Sequence, residues 1–325
     1  MLPFFSVIIP CYNSWQYMSR GLKSLEQQTF KDFEAIFVDD CSTDDTYSQL
    51  LNYQQSSDLN VVVLRNAQNV GPGQSRNYAI SQAQGKYLVF MDSDDWYEYD
   101  CLSQLHHALL SKDSDILLYN YYRSYSNGHK KEINCTQYFS SATLSKEYVA
   151  LAFESLCSMV INSILVKSYP IPALYNSEDA AVIPYWLSLT DKISFLHTPL
   201  YNYLYRTSSL STSRNKYIYK GFLEAYDFIA EKIASNFAAE KEFRGINLVL
   251  YGAVYKALEA KISNSEIQGF ISDFERLNPH CYQNKYLKYY PCRKRVFLFL
   301  LRKRNYFLLK YYCKMQKVVL SVLNF

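Results

Sequence analysis

Three carboxylates fall within four positions in Asp92-Ser93-Asp94-Asp95, directly after the apolar run Tyr87-Leu88-Val89-Phe90-Met91. Carboxylates held this close repel one another, and a hard divalent cation relieves the repulsion. Mg²⁺ or Mn²⁺ prefers oxygen ligands and commonly takes one or two protein carboxylates while substrate phosphates complete its shell. The plainer reading is an acidic turn closing a strand, since Asp and Ser are ordinary turn residues. Asp-x-Asp is a short pattern, so what surrounds it decides.

A second acidic pair, Glu178-Asp179, follows Asn176-Ser177 and opens a helical pattern through Trp186. On the residues alone, Ser, Glu and Asp in a first helical turn are simply favourable there, and that is the simpler account. Other chemistry-bearing residues stand at the ends of apolar runs: Tyr12, with a ring on which a base could stack; Asp39 and Asp40, acceptors for base N–H or ribose hydroxyls; and Arg76, in a helix that opens on Gly71-Pro72-Gly73. A Gly-rich turn at a helix N-terminus suits phosphate, and an arginine on the first turn suits it further. Each of these also has a bland account as a loop aromatic, a turn former or a solvated helix residue. Their joint occurrence at successive strand ends is what argues for a site.

The elements that must position them are legible. Residues 4–9, 33–38, 61–64 and 87–91 are continuous apolar runs, and each of the first three is followed by a polar loop and a helical pattern. Asn13 or Ser14 is expected to cap the first helix, to about residue 28, and Thr43 the second, to about residue 53. Such units make a parallel sheet with helices on both faces, whose ligands lie at the carboxyl ends of the strands. Farther on, residues 193–197 and 200–206 read as two strands joined by a turn at Pro199, with Tyr201, Tyr203 and Tyr205 on one face.

Taken together, Val7-Ile8-Ile9-Pro10-Cys11-Tyr12-Asn13, Val38-Asp39-Asp40-Cys41-Ser42-Thr43-Asp44, Asn69-Val70-Gly71 with Ser75-Arg76-Asn77, and Phe90-Met91-Asp92-Ser93-Asp94-Asp95 resemble the motif series of the family 2 inverting glycosyltransferases. The match is close over residues 4–100 and looser to residue 213. It implies an α/β fold of GT-A type, a Rossmann-like, mostly parallel sheet flanked by helices, over residues 1–213. A helical C-terminal region follows over 214–325. It also implies hexosyl transfer from a nucleotide sugar, by preference a UDP-sugar, to a hydroxyl of a glycan or lipid-linked saccharide in surface-polysaccharide synthesis, with Mn²⁺ or Mg²⁺ as cofactor.

Carried over residue by residue, Tyr12 stacks on the base and Asp40, with Asp39, holds base or ribose. Pro10, Arg76 and Ser93 lie at the nucleotide. Asp92 contacts ribose or metal-bound water, Asp94 ligates the metal, and Asp179 is the catalytic base. Arg206, before a Ser-rich loop at 207–213, would help neutralise the leaving diphosphate or serve as a structural ion-pair partner. Val182 departs from the family, which usually has an aromatic residue there, so acceptor contacts are expected to differ. The rival readings are a nucleotidyltransferase and a silent nucleotide-sugar-binding scaffold.

Composition agrees with a globular protein, with 49% hydrophobic and 20% charged residues and 32 tyrosines that suit half-wet surfaces. Eight cysteines without a C-x-x-C pair argue against a zinc site and a disulfide framework and fit reduced thiols in a cytoplasm. Neither a signal peptide nor a membrane-spanning segment is read, so the expected place is cytoplasmic. Residues 277–325 hold eleven Lys and Arg and no Asp or Glu, on a chain otherwise net acidic. The stretch 293–304 alternates basic clusters with apolar blocks, as does an interfacial helix lying peripherally on the inner face of the membrane. The alternative is a helix packed on its own domain with a solvated basic face. No nucleic-acid-binding motif accompanies the charge.

Overall fold

A computed structural model of the chain describes residues 2–174, 176–206 and 217–323. The chain divides into two compact units, Met1–Thr212 and Ser213–Phe325. In the first, β1 (Phe5–Cys11), α1 (Trp15–Glu26), β2 (Phe33–Asp39), α2 (Thr46–Ser56), β3 (Asn60–Arg65), α3 (Pro72–Gln82) and β4 (Tyr87–Phe90) follow in order. The strands pair in parallel as β3-β2-β1-β4, with Ile8 opposite both Ile36 and Phe90. Val7, Ile8, Ile36, Phe37, Leu88 and Phe90 are wholly inaccessible, which is why these strands read as unbroken apolar runs.

Beyond β4 the sheet becomes mixed. The chain continues through β5 (Trp96–Tyr97), α4 (Cys101–Lys112), β6 (Ile116–Ser124), β7 (Lys130–Ile133), α5 (Ser145–Leu151), β8 (Met159–Asn162), α6 (Ser163–Ser168), α7 (Glu178–Leu187) and β9 (Ile193–Leu204). β8 lies antiparallel between β4 and β6, and β9 runs parallel to β6. The two short strands expected around Pro199 are one strand, β9. Its register slips opposite Tyr119 to Tyr121, and Pro199 sits at that irregularity, where a residue without an N–H is tolerated. Asn120 repairs the break, its Nδ2 donating to the His197 carbonyl at 2.8 Å while its Oδ1 accepts from the Thr136 amide.

A buried carboxylate ties the amino-terminal end of the sheet together. Glu34, on β2, accepts at Oε1 from the Ser6 hydroxyl (2.6 Å), the Gln84 amide (2.7 Å) and the Gly85 amide (3.2 Å). One acceptor thus fixes β1, β2 and the start of β4. At the opposite end the loops are sewn to one another, and the capping differs from the sequence expectation. Ser14 stands at the N-cap of α1, but its side chain makes no capping bond; instead Thr46 Oγ1, from α2, accepts the Ser14 and Trp15 amides at 3.0 and 3.1 Å. Asn13 Oδ1 in return accepts the Thr43 amide at 2.8 Å, and Asp45 rather than Thr43 stands at the N-cap of α2. The Asn13 side chain turns to the neighbouring loop, and the buried Ser14 hydroxyl has no hydrogen-bond partner.

The second unit is helical: α8 (Ile218–Lys232), α9 (Ala238–Gly245), a π-helical segment (Ile246–Ala253), α10 (Val254–Glu259), α11 (Asn264–Leu277), α12 (Cys292–Arg302) and α13 (Tyr306–Leu323). α12 is not free of its unit, since Phe297, Leu298 and Leu301 are buried and the Phe297 ring meets Tyr251 at 4.9 Å. Its outward residues include Val296 and Phe299, and α13 exposes Phe307, Leu308, Tyr311 and Met315. Among the described residues no helix is long and apolar enough to cross a membrane.

The tight seam at Gly85 is testable. A Cβ there would lie 2.5 Å from the Ser6 nitrogen and 2.6 Å from the Phe5 carbonyl carbon, both backbone atoms. Gly85→Ala therefore forces β1 and the start of β4 apart and is expected to cost about 1–3 kcal/mol in urea denaturation. An unchanged midpoint would mean that the seam is looser than described.

Candidate functional site

The carboxyl ends of β1, β2 and β4 bring the first group of residues together. Pro10 lies one residue from the end of β1 beside Val38, and Tyr12, 49% exposed, follows the strand. Asp39 and Asp40, expected to act alike, do not. Asp40 is turned inward: Oδ1 accepts from Asn66 Nδ2 (2.8 Å) and the Val70 amide (2.9 Å), and Oδ2 from the Gly71 amide (2.8 Å). It shapes the loop leading to α3 and has little left for a ligand. In Asp39, Oδ2 pairs with Arg65 at 3.2 Å and accepts the Ser42 amide, whereas Oδ1 is buried with no hydrogen-bond partner. A buried acceptor without a donor is costly. Asp39 is thus the residue with unmet demand for a ligand N–H or O–H.

Arg76 departs furthest from its sequence reading. It lies on the second turn of α3, buried, rather than at the helix mouth. Its Nη2 binds Asp92 Oδ1 at 2.8 Å, and its Nη1 binds Glu178 Oε1 at 3.2 Å and approaches Asp179 Oδ1 at 3.9 Å. One guanidinium therefore joins the end of β4 to the start of α7. Burial works against its charge, but the three carboxylates overcome this and push its pKa up. α7 is held from below as well, because Trp186 stacks on Phe90 and donates Nε1–H to the Tyr169 carbonyl at 2.7 Å. Val182 is fully buried on the same helix.

Asp179 sits on the first turn of α7, just after Ser177 in a left-handed conformation (φ 66°). Its Oδ2 accepts the Leu156 amide at 3.2 Å, and its Oδ1 is buried without a hydrogen bond. Burial raises its pKa to about 7; Arg76 pulls it down, and Glu178 and Asp92 push it back up. Its pKa is thereby brought near neutrality, where a carboxylate can exchange a proton at physiological pH.

The remaining carboxylates take different roles. Asp95 is buried, accepting the Tyr201 hydroxyl at 2.5 Å and the Leu204 amide at 2.7 Å. Tyr201 Oη also accepts the Asp92 amide at 3.1 Å, so this pair fixes the turn. Burial and the charges of Asp92 and Asp94 hold the Asp95 pKa well above the usual carboxylate range. Ser93 lies half-buried between the two half-buried aspartates. Asp94 is paired with Arg206, whose guanidinium lies 4.2 Å over the Tyr17 ring. Burial first, and then Asp92, raise the Asp94 pKa against the pull of Arg206.

Two guanidiniums thus face five carboxylates, and the locality is short of positive charge. Asp92 and Asp94 offer hard oxygen donors from side chains 38% and 17% exposed. Among the described residues no three His, Cys, Asp or Glu side chains converge as a ready-made metal cage. The donor set fits a Mg²⁺ or Mn²⁺ that takes one or two carboxylates and fills its shell from phosphate.

Sequence reading missed Tyr201, Asp95 and Leu156 as parts of this site. The period-2 tyrosines pointed at Tyr201, but nothing local marks a main-chain amide such as that of Leu156. The Ser-rich loop at 207–213 lies outside the described residues, and His197 is bound to Thr136 Oγ1 at 2.8 Å, away from the carboxylates.

Against known proteins, residues 6–165 match the family model described as Glycosyl transferase family 2. The UDP-Glc:alpha-D-GlcNAc-diphosphoundecaprenol beta-1,3-glucosyltransferase WfaP of Escherichia coli is 32% identical over 217 residues, 65% of this chain and 80% of the relative. The Staphylococcus aureus poly(ribitol-phosphate) beta-N-acetylglucosaminyltransferase TarS is 40% identical over 116 residues, 35% of this chain; the match spans only 20% of that relative's length. The crystal structure of residues 1–349 of S. aureus TarS with UDP-GlcNAc superposes with a TM-score of 0.67 at 22% identity, covering 96% of this chain and 91% of that one. The fold is the one that the sequence resemblance implied, and the chain belongs to the family 2 glycosyltransferases.

Proposed function

We propose that this chain is an inverting glycosyltransferase that moves a hexose from a nucleotide sugar, by preference a UDP-sugar, to a hydroxyl of a glycan or lipid-linked saccharide in surface-polysaccharide synthesis. The observation that carries it is the buried Arg76 guanidinium holding Asp92, Glu178 and Asp179 together beside Asp94. Tyr12 and the unmet Oδ1 of Asp39 support a nucleoside at the ends of β1 and β2. Family membership weighs against the nucleotidyltransferase and scaffold readings.

In this mechanism Asp179 takes the proton of the acceptor hydroxyl. The acceptor oxygen bonds the anomeric carbon as the bond to the diphosphate breaks, with a single inversion. Arg206 is placed to exchange Asp94 for the leaving diphosphate, whose charge its fork suits. Asp94, with Asp92, would hold Mn²⁺ or Mg²⁺, which supplies neutralising charge to the diphosphate. Arg76 positions the base and keeps its proton affinity in range.

Asp179→Asn is expected to lower kcat by about 10²–10⁴-fold, the usual worth of a general base, with calorimetric UDP affinity unchanged. Transfer at the native rate would remove Asp179 from the role. The base works unprotonated, so kcat/KM should rise with pH through about 7 and level off above it. Arg76→Gln should move that rise to higher pH, because the guanidinium opposes the effect of burial; a profile left in place would separate Arg76 from the base.

Metal use is tested by titrating UDP with and without Mn²⁺. Binding should weaken about tenfold or more without metal or in Asp94→Ala, and metal-independent binding would count against Asp94 as a ligand.

We further propose peripheral membrane contact through the second unit. Phe307, Tyr311 and Met315 form an exposed i, i+4, i+8 stripe on α13, beside Lys310 and Lys314. This reading moves the interfacial surface from α12, whose apolar block is largely buried, to α13. Phosphatidylglycerol vesicles should sediment the protein and phosphatidylcholine vesicles should not. Phe307→Ser should weaken the association about tenfold, as loss of one buried aromatic implies; equal sedimentation with both lipids would refute it.

A further inference from the structure

On the sheet face that carries Tyr201 and Asp95, β6 and β9 present a second group of side chains that the donor chemistry does not use. Tyr121 lies opposite Tyr201 and Arg123 opposite Tyr203. The Tyr121 ring meets Phe153 at 5.7 Å and Tyr203 at 6.4 Å. Phe153 is 44% exposed, although its neighbours Ala152 and Leu156 are buried. It stands three residues before Leu156, whose amide holds the Asp179 carboxylate. The aromatic group is therefore anchored to the candidate base at one end.

At its other end is Arg123. Its guanidinium carbon lies 5.7 Å from the centre of the Tyr205 ring, and its Nε is buried with no hydrogen-bond partner. Among the described residues no carboxylate pairs with it, whereas Arg76, Arg206 and Arg65 are all paired. A half-buried guanidinium facing aromatic rings is only partly compensated by the ring quadrupole, and its planar fork matches a phosphate or carboxylate. The exposed ring of Phe153 and the half-buried ring of Tyr203 suit the apolar face of a sugar, with the buried Tyr121 packed behind them.

We propose that Phe153, Tyr203 and Arg123, backed by the buried Tyr121, form an acceptor subsite that takes an anionic saccharide, with the sugar against the Phe153 and Tyr203 rings and its phosphate or carboxylate on Arg123. The inference rests on the donor and base assignments above and adds the charge of the acceptor to them. The acceptor hydroxyl lies at Asp179, the adjoining ring near Phe153, and the anion toward the far end of β6.

The test measures binding, so turnover is not required. With the donor site saturated by UDP and Mn²⁺, the protein is titrated with methyl β-glucoside, its 6-phosphate and the corresponding methyl glucuronide, followed by saturation-transfer NMR. At least one anionic probe is expected to bind about tenfold or more tightly than the neutral glucoside, and comparison of the two tells phosphate from carboxylate. Arg123→Gln should abolish the preference, Arg123→Lys should retain part of it, and Phe153→Ala should weaken all three probes together. Equal binding of the three probes, no binding of either anionic probe, or a preference that survives Arg123→Gln overturns the proposal. Unchanged UDP affinity in the variants shows that fold and donor site are intact. Failure of the native protein to bind UDP tells instead against the underlying donor reading.

Discussion

The arrangement depends on one buried cation. Arg76 holds Asp92, Glu178 and Asp179, which come from two segments some eighty-five residues apart in sequence. At about 4 Å and an effective dielectric near 20, a unit charge pair attracts by about 4 kcal/mol, and much of that offsets desolvation. With three partners the guanidinium can remain charged while buried, yet it cannot neutralise all three. Burial is the main reason that the Asp179 pKa is raised, and Glu178 and Asp92 add to it against the pull of Arg76. Arg76 therefore positions this carboxylate and also moderates its proton affinity.

The rest of the site follows from how the excess negative charge is distributed. Burial and the charges of Asp92 and Asp94 push Asp95 toward its neutral form, and its bonds from the Tyr201 hydroxyl and the Leu204 amide make it a support for the turn. Asp94 is left with Arg206, a side chain at the end of β9 that is only half-buried and also stacks on Tyr17. A ligand bringing its own cation and diphosphate has something to exchange with there. The same imbalance would draw a divalent metal to Asp92 and Asp94 without a protein-only cage.

Three of the six non-glycine residues with positive φ among the described residues adjoin these groups. Asn13, Cys41 and Ser177 have positive φ, and they stand next to Tyr12, Asp40 and the Glu178-Asp179 pair. Such conformations persist where surrounding contacts over-determine them. Here the contacts are the reciprocal bonds between the β1–α1 and β2–α2 loops, the three donors to Asp40, and the stacking of Trp186 under Phe90. The β1–α1 and β2–α2 loops are cross-linked because several polar groups of each are satisfied by the other.

Much of this protein was legible in its residues alone. Continuous apolar runs gave the strands because a buried parallel strand has no solvent face to interrupt the pattern, and the motifs set Tyr12, Asp39 and Asp92 at or just beyond the ends of β1, β2 and β4. Identical residue types could not be separated by that reading. Asp39 and Asp40 are adjacent carboxylates, and only the fold shows that loop amides occupy Asp40 while an oxygen of Asp39 is left without a donor. The acidic run 92–95 likewise divides into two available groups and one buried support. Arg76 looked like a phosphate contact at a helix mouth, and Thr46 gave no sign of capping a helix that precedes it by thirty residues. Strand periodicity and turn chemistry are local and survive in one dimension. Ion-pair partners, shared caps and desolvation are set by which distant segments meet, and these only the tertiary structure decided.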